Sequence, residues 1–456
     1  MKLGKLSLVA VMALGTSAFA IDNVKVSGEA KLYYQTSDVE KYAADSAQSD
    51  TGLFEQGGSV PLAGAPYGGA AAGGASLVVG ATADLTTGIS AGAEAQAFST
   101  LGLENNLVND TMAPAGTNRA SDSWVMSQLW MAATLSKTTV KVGRMELDTP
   151  LAFTEKLNIV KNTFEGAVIL NSDLPDTTLV GAWVGKHNGA NDNTSGLGVN
   201  LLAGSTGRTA WMNTDATRAD AFQTFGSDGA YAVAAINSSI PNTTLQAWYY
   251  DVVQIADALW LQGDTKIAGM VSLGAQYAQM DPKSAVDGVL STLATVPSTA
   301  DDSKIWALKA GVDVAGFNLY AAYSQADKDG LLGFANVATG DKTKIYTGDG
   351  SIYMDGIVTA PGTKAYKVGA STKVMDVALA ASYCDASDVY DVSGNDISAW
   401  DISASTKVGP LGLTAIYTEV NNDTSNVLPA SFSPVSTAMY AGRDIDSLRL
   451  IASLKF

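Results

Sequence analysis

The clearest pattern in the chain is a two-residue alternation through residues 447–456. One face carries Leu448, Leu450, Ala452, Leu454 and Phe456, and the other carries Ser447, Arg449, Ile451, Ser453 and Lys455. A period of two predicts a β-strand with one face in an apolar medium and the other mostly in water. An exposed apolar strand edge promotes aggregation, whereas a closed barrel in a bilayer has no edges. The pattern favours a barrel strand over its alternative, the last strand of a soluble sandwich.

The same alternation recurs along the chain and predicts about 18 strands, the first near residues 23–36. Short turns alternate with long polar or Gly-rich connections, at residues 37–74, 99–121, 188–228, 281–302, 328–362 and 422–441. A transmembrane barrel separates its connections in this way, because short turns face the periplasm and long loops face the exterior. We therefore predict an all-β fold: a transmembrane antiparallel β-barrel with long extracellular loops and short periplasmic turns.

Residues 1–20 have the pattern of a secretory signal peptide. Lys2 and Lys5 precede an apolar run, and Ala18-Phe19-Ala20 fits a cleavage site with small residues. The run is shorter than the ~20 residues that span a bilayer as a helix, and no other stretch is long enough. We expect residues 21–456 to form one barrel domain in the bacterial outer membrane, in contact with its lipid.

Tyrosines recur on the apolar face near the extracellular end of outward-running strands, at Tyr34, Tyr277, Tyr323, Tyr383 and Tyr417. A tyrosine at this height keeps its ring in lipid and its hydroxyl among headgroups. These residues predict an extracellular aromatic girdle. Phe456 belongs to the corresponding periplasmic girdle.

Charges recur on the opposite, polar face, at Lys25, Glu29, Lys31, Lys309, Asp313, Lys367, Lys373, Asp401, Lys407, Arg449 and Lys455. Burying so many charges in a dry core would cost too much, so they predict a water-filled lumen. Segments 75–98 and 122–135 are apolar or small on both faces. A packed loop or a subunit interface would cover such a surface, so we expect an oligomer.

The charge balance restricts the partners. The chain has 28 Lys+Arg against 45 Asp+Glu, a formal net charge of −17. This acidity argues against nucleic acid as a partner. It favours cations in a pore, whereas the inward lysines favour carboxylates. The sequence therefore leaves the selectivity for small polar solutes and ions open.

Candidate catalytic and metal-binding residues are sparse. The one histidine, His187, is expected at the surface and has no evident nucleophile beside it, so no enzyme activity is predicted. Cys384 is the one cysteine, which excludes an intrachain disulfide. Residues 327–330 begin like a calcium loop but lack its downstream Glu. No cofactor is predicted, apart from weak calcium binding by acidic loop residues, namely Asp349, Asp355, Asp388, Asp391 and Asp396.

One motif carries a family resemblance. Residues 143–150 read Gly-Arg-Met-Glu-Leu-Asp-Thr-Pro, and residues 162–166 read Asn-Thr-Phe-Glu-Gly. This pair of segments resembles the third-loop region of the OprD-like channels and of the major outer-membrane porins of campylobacters. The last strand also resembles the closing strand of outer-membrane barrels. These resemblances imply an 18-stranded porin, trimeric in the campylobacterial case, whose third loop folds inward, and an assembly machinery that recognises Phe456.

By position, the third loop is residues 148–161. The charges in and beside it are Arg144, Glu146, Asp148, Glu155, Lys156, Lys161 and Glu165. Mixed charge at a pore constriction sets a transverse field that orients polar solutes and rejects apolar ones. The alternative is an ordinary exposed loop with solvated charges. Alternation points Arg144 at lipid, unless the strand bulges near Gly143 or has already left the membrane.

The leading hypothesis is thus a porin for passive diffusion of small hydrophilic solutes and ions. Its lumen would be narrowed by residues 148–161, and selectivity would come from pore width and fixed charge. The alternative is a structural or adhesive outer-membrane barrel with a closed lumen.

Overall fold

The computed structural model describes residues 22–39, 72–103, 122–157, 159–189, 222–224, 229–284, 286, 301–330, 333–338, 342–348, 356–423 and 444–456. The expected signal peptide, 1–20, lies outside the described residues. So do Asp349, Asp355 and most residues of the long connections.

The described chain is almost entirely strand. In chain order the strands are β1 (Asp22–Val39), β2 (Ala72–Thr86), β3 (Ile89–Ser99), β4 (Asp122–Leu135), β5 (Thr138–Met145), β6 (Phe164–Asn171), β7 (Thr177–His187), β8 (Gln223–Thr224), β9 (Ala230–Asn237), β10 (Thr243–Val252), β11 (Ala256–Ile267), β12 (Val271–Pro282), β13 (Ser303–Val314), β14 (Phe317–Ala326), β15 (Lys364–Val374), β16 (Val377–Ser387), β17 (Ile397–Val408), β18 (Leu411–Asn422) and β19 (Ile445–Lys455). Among the described residues, no helix is long and apolar enough to cross a membrane.

Each strand pairs antiparallel with its neighbours, and β1 pairs with β19 to close the ring. The two-residue β8 pairs with the end of β7, and β7 continues the ring by pairing with β9. Eighteen strands of the described chain therefore form a closed antiparallel barrel. This confirms the predicted fold class.

The short connections supply the sharp reversals that tight hairpins need. Ser136, Ala315 and Met375 all adopt left-handed φ angles of 51–54° at two-residue turns, and Gly316 follows with φ 82°. Left-handed turns match the right-handed twist of the strands that they join. Local chemistry thus holds consecutive strands in register at the periplasmic end.

The seam between β1 and β19 ends in a close approach. Gly28 N donates to Phe456 O over 2.7 Å, and Phe456 N donates to Gly28 O over 3.0 Å. A Cβ on Gly28 would lie 2.4 Å from Cζ of the Phe456 ring. Only glycine admits the ring at this position.

The two faces of the wall have different surroundings. On β1, Val24, Val26 and Leu32 are 45%, 47% and 56% exposed, whereas Tyr33 on the other face is 2% exposed. The apolar outward face therefore meets lipid, as alternation predicts. Inside the barrel, two buried clusters fill the space behind the wall, one around Trp260 and Phe164 and the other around Ile159 and Val358.

Candidate functional site

The chain between β5 and β6 lies inside the barrel. Ile159 and Val160 are 1% and 2% exposed. Ser76 on β2 donates its hydroxyl to Ile159 O over 2.7 Å. Gln96 on β3 accepts from Lys161 N over 3.0 Å and donates to Lys161 O over 3.2 Å. The inward-facing side chains of β2 and β3 thus hold this segment against the lumen wall. It contains the predicted third loop (148–161) and is hereafter called the third loop, with described residues 146–157 and 159–163.

A charge network fastens the same loop. The Lys161 ammonium contacts Glu94 on β3 over 2.8 Å and also Glu146, and Lys156 contacts Glu146 over 2.5 Å. Burial alone would lower the pKa of Lys161, but its hydrogen bonds to Glu146 and Glu94 outweigh burial and raise the pKa. Burial would likewise raise the pKa of Glu146, yet hydrogen bonds from Lys156 and Lys161 lower it. Both partners therefore stay charged over a wide pH range.

A second loop also folds inward, which the sequence pattern did not reveal. Residues 333–338 and 342–348, between β14 and β15, pack against the third loop. Asn336, fully buried, donates to Phe153 O and to Glu155 Oε1, each over 2.8 Å, and accepts from Phe153 N over 3.2 Å. Val337 N donates to Leu151 O over 2.8 Å. The two loops thus form one body inside the barrel.

Lumen-facing side chains of β11–β16 hold this second loop (described residues 333–338 and 342–348). Gln276 donates to Lys344 O over 2.8 Å and accepts from Tyr346 N over 3.0 Å. Tyr346 donates its hydroxyl to Asp264 over 2.8 Å, and Lys309 also donates to Asp264, over 3.1 Å. Lys367 donates to Gly348 O over 2.8 Å. Lys309 and Lys367 were predicted to face a water-filled lumen, and each of them also holds the second loop.

The two loops present charges of both signs to water. Asp148 is 87% exposed and pairs with Lys344 of the second loop, which is 33% exposed. Lys156 is 65% exposed and pairs with Glu146, which is 28% exposed. Glu155 is buried at 4% exposure against Asn336. Of the predicted loop charges, Asp148, Glu146 and Lys156 line solvent, whereas Glu155 and Lys161 hold the loops in place.

The position of Arg144 and Glu165 corrects an expectation. Both were placed among the charges of the expected pore constriction, with the orientation of Arg144 left open, and both lie on the outward face. Arg144 pairs in register with Leu129, which is 59% exposed, while the next residue, Met145, is 2% exposed on the inner face. The register of β5 with both neighbours is regular, so alternation simply continues through Gly143. A bulge does occur on β7, where Glu165 pairs with Lys186 and Gly166 with Val184.

The remaining lumen charges lie on inward positions of the strands. Near the periplasmic mouth these are Lys25, Glu29, Asp313, Lys373, Lys407 and Lys455. Lys31 donates to Lys156 O over 3.3 Å. Arg449 is 1% exposed, with its Nη2 3.4 Å from the Thr418 hydroxyl, which also contacts Asp401. Arg449 was expected to face open water, but other groups cover it.

The predicted girdle tyrosines lie on outward positions, and aromatic partners face several of them. Tyr323 packs against Trp306 with ring centroids 5.4 Å apart, and Tyr383 packs against Trp400 at 4.8 Å and Tyr366 at 6.0 Å. The Tyr417 hydroxyl donates to Asp446 over 2.9 Å. These aromatic partners lie on β13, β15 and β17, which run inwards, whereas the predicted girdle tyrosines lie on outward-running strands. The outward aromatic residues near the extracellular strand ends, hereafter the aromatic girdle, are Tyr34, Trp124, Trp183, Tyr231, Tyr249, Tyr277, Trp306, Tyr323, Tyr366, Tyr383, Trp400 and Tyr417.

Other candidate groups have structural surroundings. His187 is 0% exposed and its Nδ1 accepts from Gly189 N over 3.2 Å, so it is buried and not at the surface as expected. The Cys384 thiol lies 3.4 Å from Thr347 O of the second loop. Asp388 pairs with Lys364 over 2.9 Å. Within the described part of the chain, no three His, Cys, Asp or Glu side chains come together as a metal site requires.

Solved structures with the same fold cover nearly the whole chain. Pseudomonas aeruginosa OpdK with vanillate aligns with a TM-score of 0.67 at 14% identity, over 95% of this chain and 98% of OpdK. Pseudomonas aeruginosa OccK9 (OpdG) aligns with a TM-score of 0.67 at 15% identity, over 95% and 99% of the two chains. Pseudomonas aeruginosa OccK8 (OprE) aligns with a TM-score of 0.63 at 16% identity, over 96% and 99%. At these identities the likeness shows the fold.

Sequence comparison gives the family. No curated protein matches the chain. The profile of the OprD family, described as outer membrane porins, matches residues 86–355. This match spans more than half of the chain and includes both the third loop and the second loop. The barrel therefore resides in the bacterial outer membrane, and the chain belongs to the OprD family of outer membrane porins.

Proposed function

We propose that the protein is a passive channel for small hydrophilic solutes and ions, and that the third and second loops together narrow its lumen. The observation that carries this proposal is the joined pair of inward loops, which presents Asp148 with Lys344 and Lys156 with Glu146 to water. Fixed charges of both signs at a constriction favour polar solutes, because these charges can replace the hydration shell that the solute loses there. The third loop is held by β2 and β3, and the second loop by strands β11–β15. The two loops therefore narrow the lumen together.

The porin family and the barrel fold are those of a channel and not of an enzyme. We propose further that transport needs no catalytic group and no cofactor. A structural or adhesive barrel with a closed lumen is the alternative, and the family match does not favour it.

We also propose that the transported solutes are preferentially anions, including small carboxylates. Basic residues outnumber acidic ones at inward strand positions, although the whole chain is acidic. Local charge along the pore matters more to selectivity than the total. Lys25, Lys373, Lys407 and Lys455 face the periplasmic mouth. The binding of vanillate, a carboxylate, by OpdK supports the same solute class.

Assembly partners complete the proposal. The outward faces of β2 and β3 carry the exposed aliphatic residues Leu77 and Ile89 and no residue of the aromatic girdle. Between them lie small residues, namely Ala81, Ala83, Ala91, Ala93, Ala95 and Ala97. We propose that this surface packs against neighbouring subunits in a homotrimer, as the resemblance of the third-loop motif to that of the campylobacterial major porins implies. The Phe456 ring, 58% exposed beside Gly28, is the group that we propose the barrel-assembly machinery binds.

The direct test is single-channel conductance of the folded protein in a planar bilayer. We expect stable steps, grouped in threes if the trimer persists. A double variant, Asp148→Asn with Lys156→Gln, removes one exposed charge of each sign and should change conductance. Its mobility on a gel loaded without heating, which reports the folded barrel, should stay the same. If the wild-type protein is folded and inserted but gives no current, the alternative of an adhesive barrel with a closed lumen would be favoured.

A further inference from the structure

The aromatic girdle follows the strand register. Hairpins joined by a long loop place one residue of each strand in direct cross-strand register at girdle height, as in Trp183–Tyr231, Tyr277–Trp306, Tyr323–Tyr366 and Tyr383–Trp400. From one such hairpin to the next, the pair shifts by two residues along the strands. Trp306, for example, pairs with Gln325, and Tyr323 pairs with Leu308. This shift reflects the tilt of the strands in the barrel.

The same rule identifies the girdle position of the β5–β6 hairpin. Trp183 pairs with Ala167 on β6. Two residues further towards the extracellular end of β6 is Glu165, which pairs in register with Arg144. An ion pair therefore occupies the place where the other hairpins carry aromatic rings. The Arg144 Nε donates to Glu165 over 2.6 Å, and the two side chains are 30% and 27% exposed.

This ion pair belongs to a cluster with an excess of positive charge. The Lys186 ammonium lies 3.8 Å from Glu165 and is 47% exposed. Arg144 Nη1 donates to Met126 O over 2.9 Å, and the Phe222 ring covers the guanidinium at 3.9 Å. Within the described part of the chain, the Arg144 Nη2 has no partner. Two cations thus share one carboxylate, and both side chains remain partly exposed on outward strand positions.

The other outward cations near girdle height are neutralised. Lys283 contacts both Asp251 and Asp257, and Lys304 contacts Asp302. Lys364 contacts Asp388. Among the described residues, the cluster of Arg144, Glu165 and Lys186 is therefore the outward place where cations exceed anions at the level of lipid headgroups.

We propose that Arg144 and Lys186 form a binding site for the phosphate of lipid A, the phosphorylated glycolipid of the outer leaflet. A guanidinium presents a planar set of donors that matches phosphate, and an ammonium adds a point charge. Exposed Val142, two residues below Arg144, continues the wall as an apolar surface for the acyl chains. The arginine of the Gly-Arg motif thus serves the lipid side of the wall and not the pore.

The test is native mass spectrometry of the folded protein in detergent with added lipid A or its dephosphorylated form. We expect the wild type to retain phosphorylated lipid A preferentially. The variant Arg144→Gln/Lys186→Gln should bind it about 25-fold more weakly, since each cation near a lipid surface contributes about fivefold. Lys304→Gln, an outward lysine two residues above Trp306, is the matched control and should bind as the wild type does.

A further variant separates charge from folding. Arg144→Gln/Glu165→Gln/Lys186→Gln leaves no uncompensated carboxylate and should fold, as judged by unheated gel mobility, yet still lose the preference for phosphorylated lipid. Equal retention of the two lipid forms by wild type would overturn the proposal. Displacement of lipid A by millimolar inorganic phosphate would assign the site to free phosphate. Loss of the oligomer with unchanged lipid binding would assign it to a subunit contact; both results also overturn it.

Discussion

At the scale of single residues, Asn336 determines how the inner loops meet. Its amide forms three hydrogen bonds with Phe153 and Glu155 of the third loop, and it is fully buried. An amide of both donor and acceptor character can satisfy the backbone of a loop that has no strand partner. The Asn336 side chain therefore adds to the backbone bond from Val337 N to Leu151 O in joining the two loops.

We expect Asn336→Ala to separate the two loops. The buried Phe153 backbone and the Glu155 carboxylate would lose partners, at a cost of about 2 kcal/mol in the free energy of unfolding. Single-channel current should become larger and noisier. Asn318→Ala, which removes a bond to Asp313 at the periplasmic mouth, is the control and should leave the noise unchanged. An Asn336→Ala channel with wild-type current would contradict a role for this contact in pore width.

The sequence predicted residue positions where alternation alone decides them. The girdle tyrosines and the lumen lysines followed a period of two, and so did Arg144, whose outward position alternation had indicated. Asn336 could not be found in this way, because its partners lie 183 and 181 residues away in the chain. His187 looked like a surface residue because nothing local signals that the loops bury it.

At the scale of elements, the third loop is fastened by ion pairs to the strands that flank the lumen. The Lys161 ammonium sits between Glu94 on β3 and Glu146 at the end of β5, and the Gln128 amide lies 3.1 Å and 3.3 Å from the same two carboxylates. Removing one member of so enclosed a network leaves a charge without compensation. The third loop should therefore stay against the lumen wall as long as Lys161 is protonated and Glu94 and Glu146 are ionised.

This network predicts a pH window for the docked loop. The pKa of Glu146 is depressed below 4.5, so its contribution is present above pH 4.5 and is lost as pH falls through the depressed value. The pKa of Lys161 is raised above 10.5, so its contribution is present below pH 10.5 and is lost as pH rises through the raised value. We expect constant conductance between these limits.

Conductance measured from pH 3 to pH 11 checks this window. Glu94→Gln/Glu146→Gln should show at neutral pH the altered conductance that wild type reaches only in acid. Asp313→Asn, on the lumen wall at the periplasmic mouth, is the matched control. A wild-type titration centred near pH 6 would be incompatible with the network as the origin of the pH dependence.

At the scale of the whole molecule, charge is separated between the lumen and the outer surface. The chain carries a formal net charge of −17, yet the inward positions of its strands are predominantly basic. The outward positions above the girdle carry Asp281, Asp385, Glu419 and Asp446 together with the ion pairs of Lys283, Lys304 and Lys364. Total charge and pore charge thus have opposite signs.

We therefore expect the reversal potential under a salt gradient to have the sign of anion selectivity. Lys373→Gln/Lys407→Gln removes two cations from the periplasmic mouth and should shift the potential towards cation selectivity. Lys364→Gln, on the outward face of the same strand as Lys373, should not change it. Cation selectivity in the wild type would show that residues other than these lysines control permeation.

The joined loops also bear on how the molecule reaches its final form. The third loop leaves the wall after β5 and the second after β14, and they meet only when both parts of the ring are in place. Contacts between residues so far apart in the chain form late, since the entropy of closing the intervening loop must be overcome first. We infer that the barrel inserts into the membrane as a wider, water-filled ring. The passage then acquires its width in a slower step, so a newly inserted channel is leaky before it is selective.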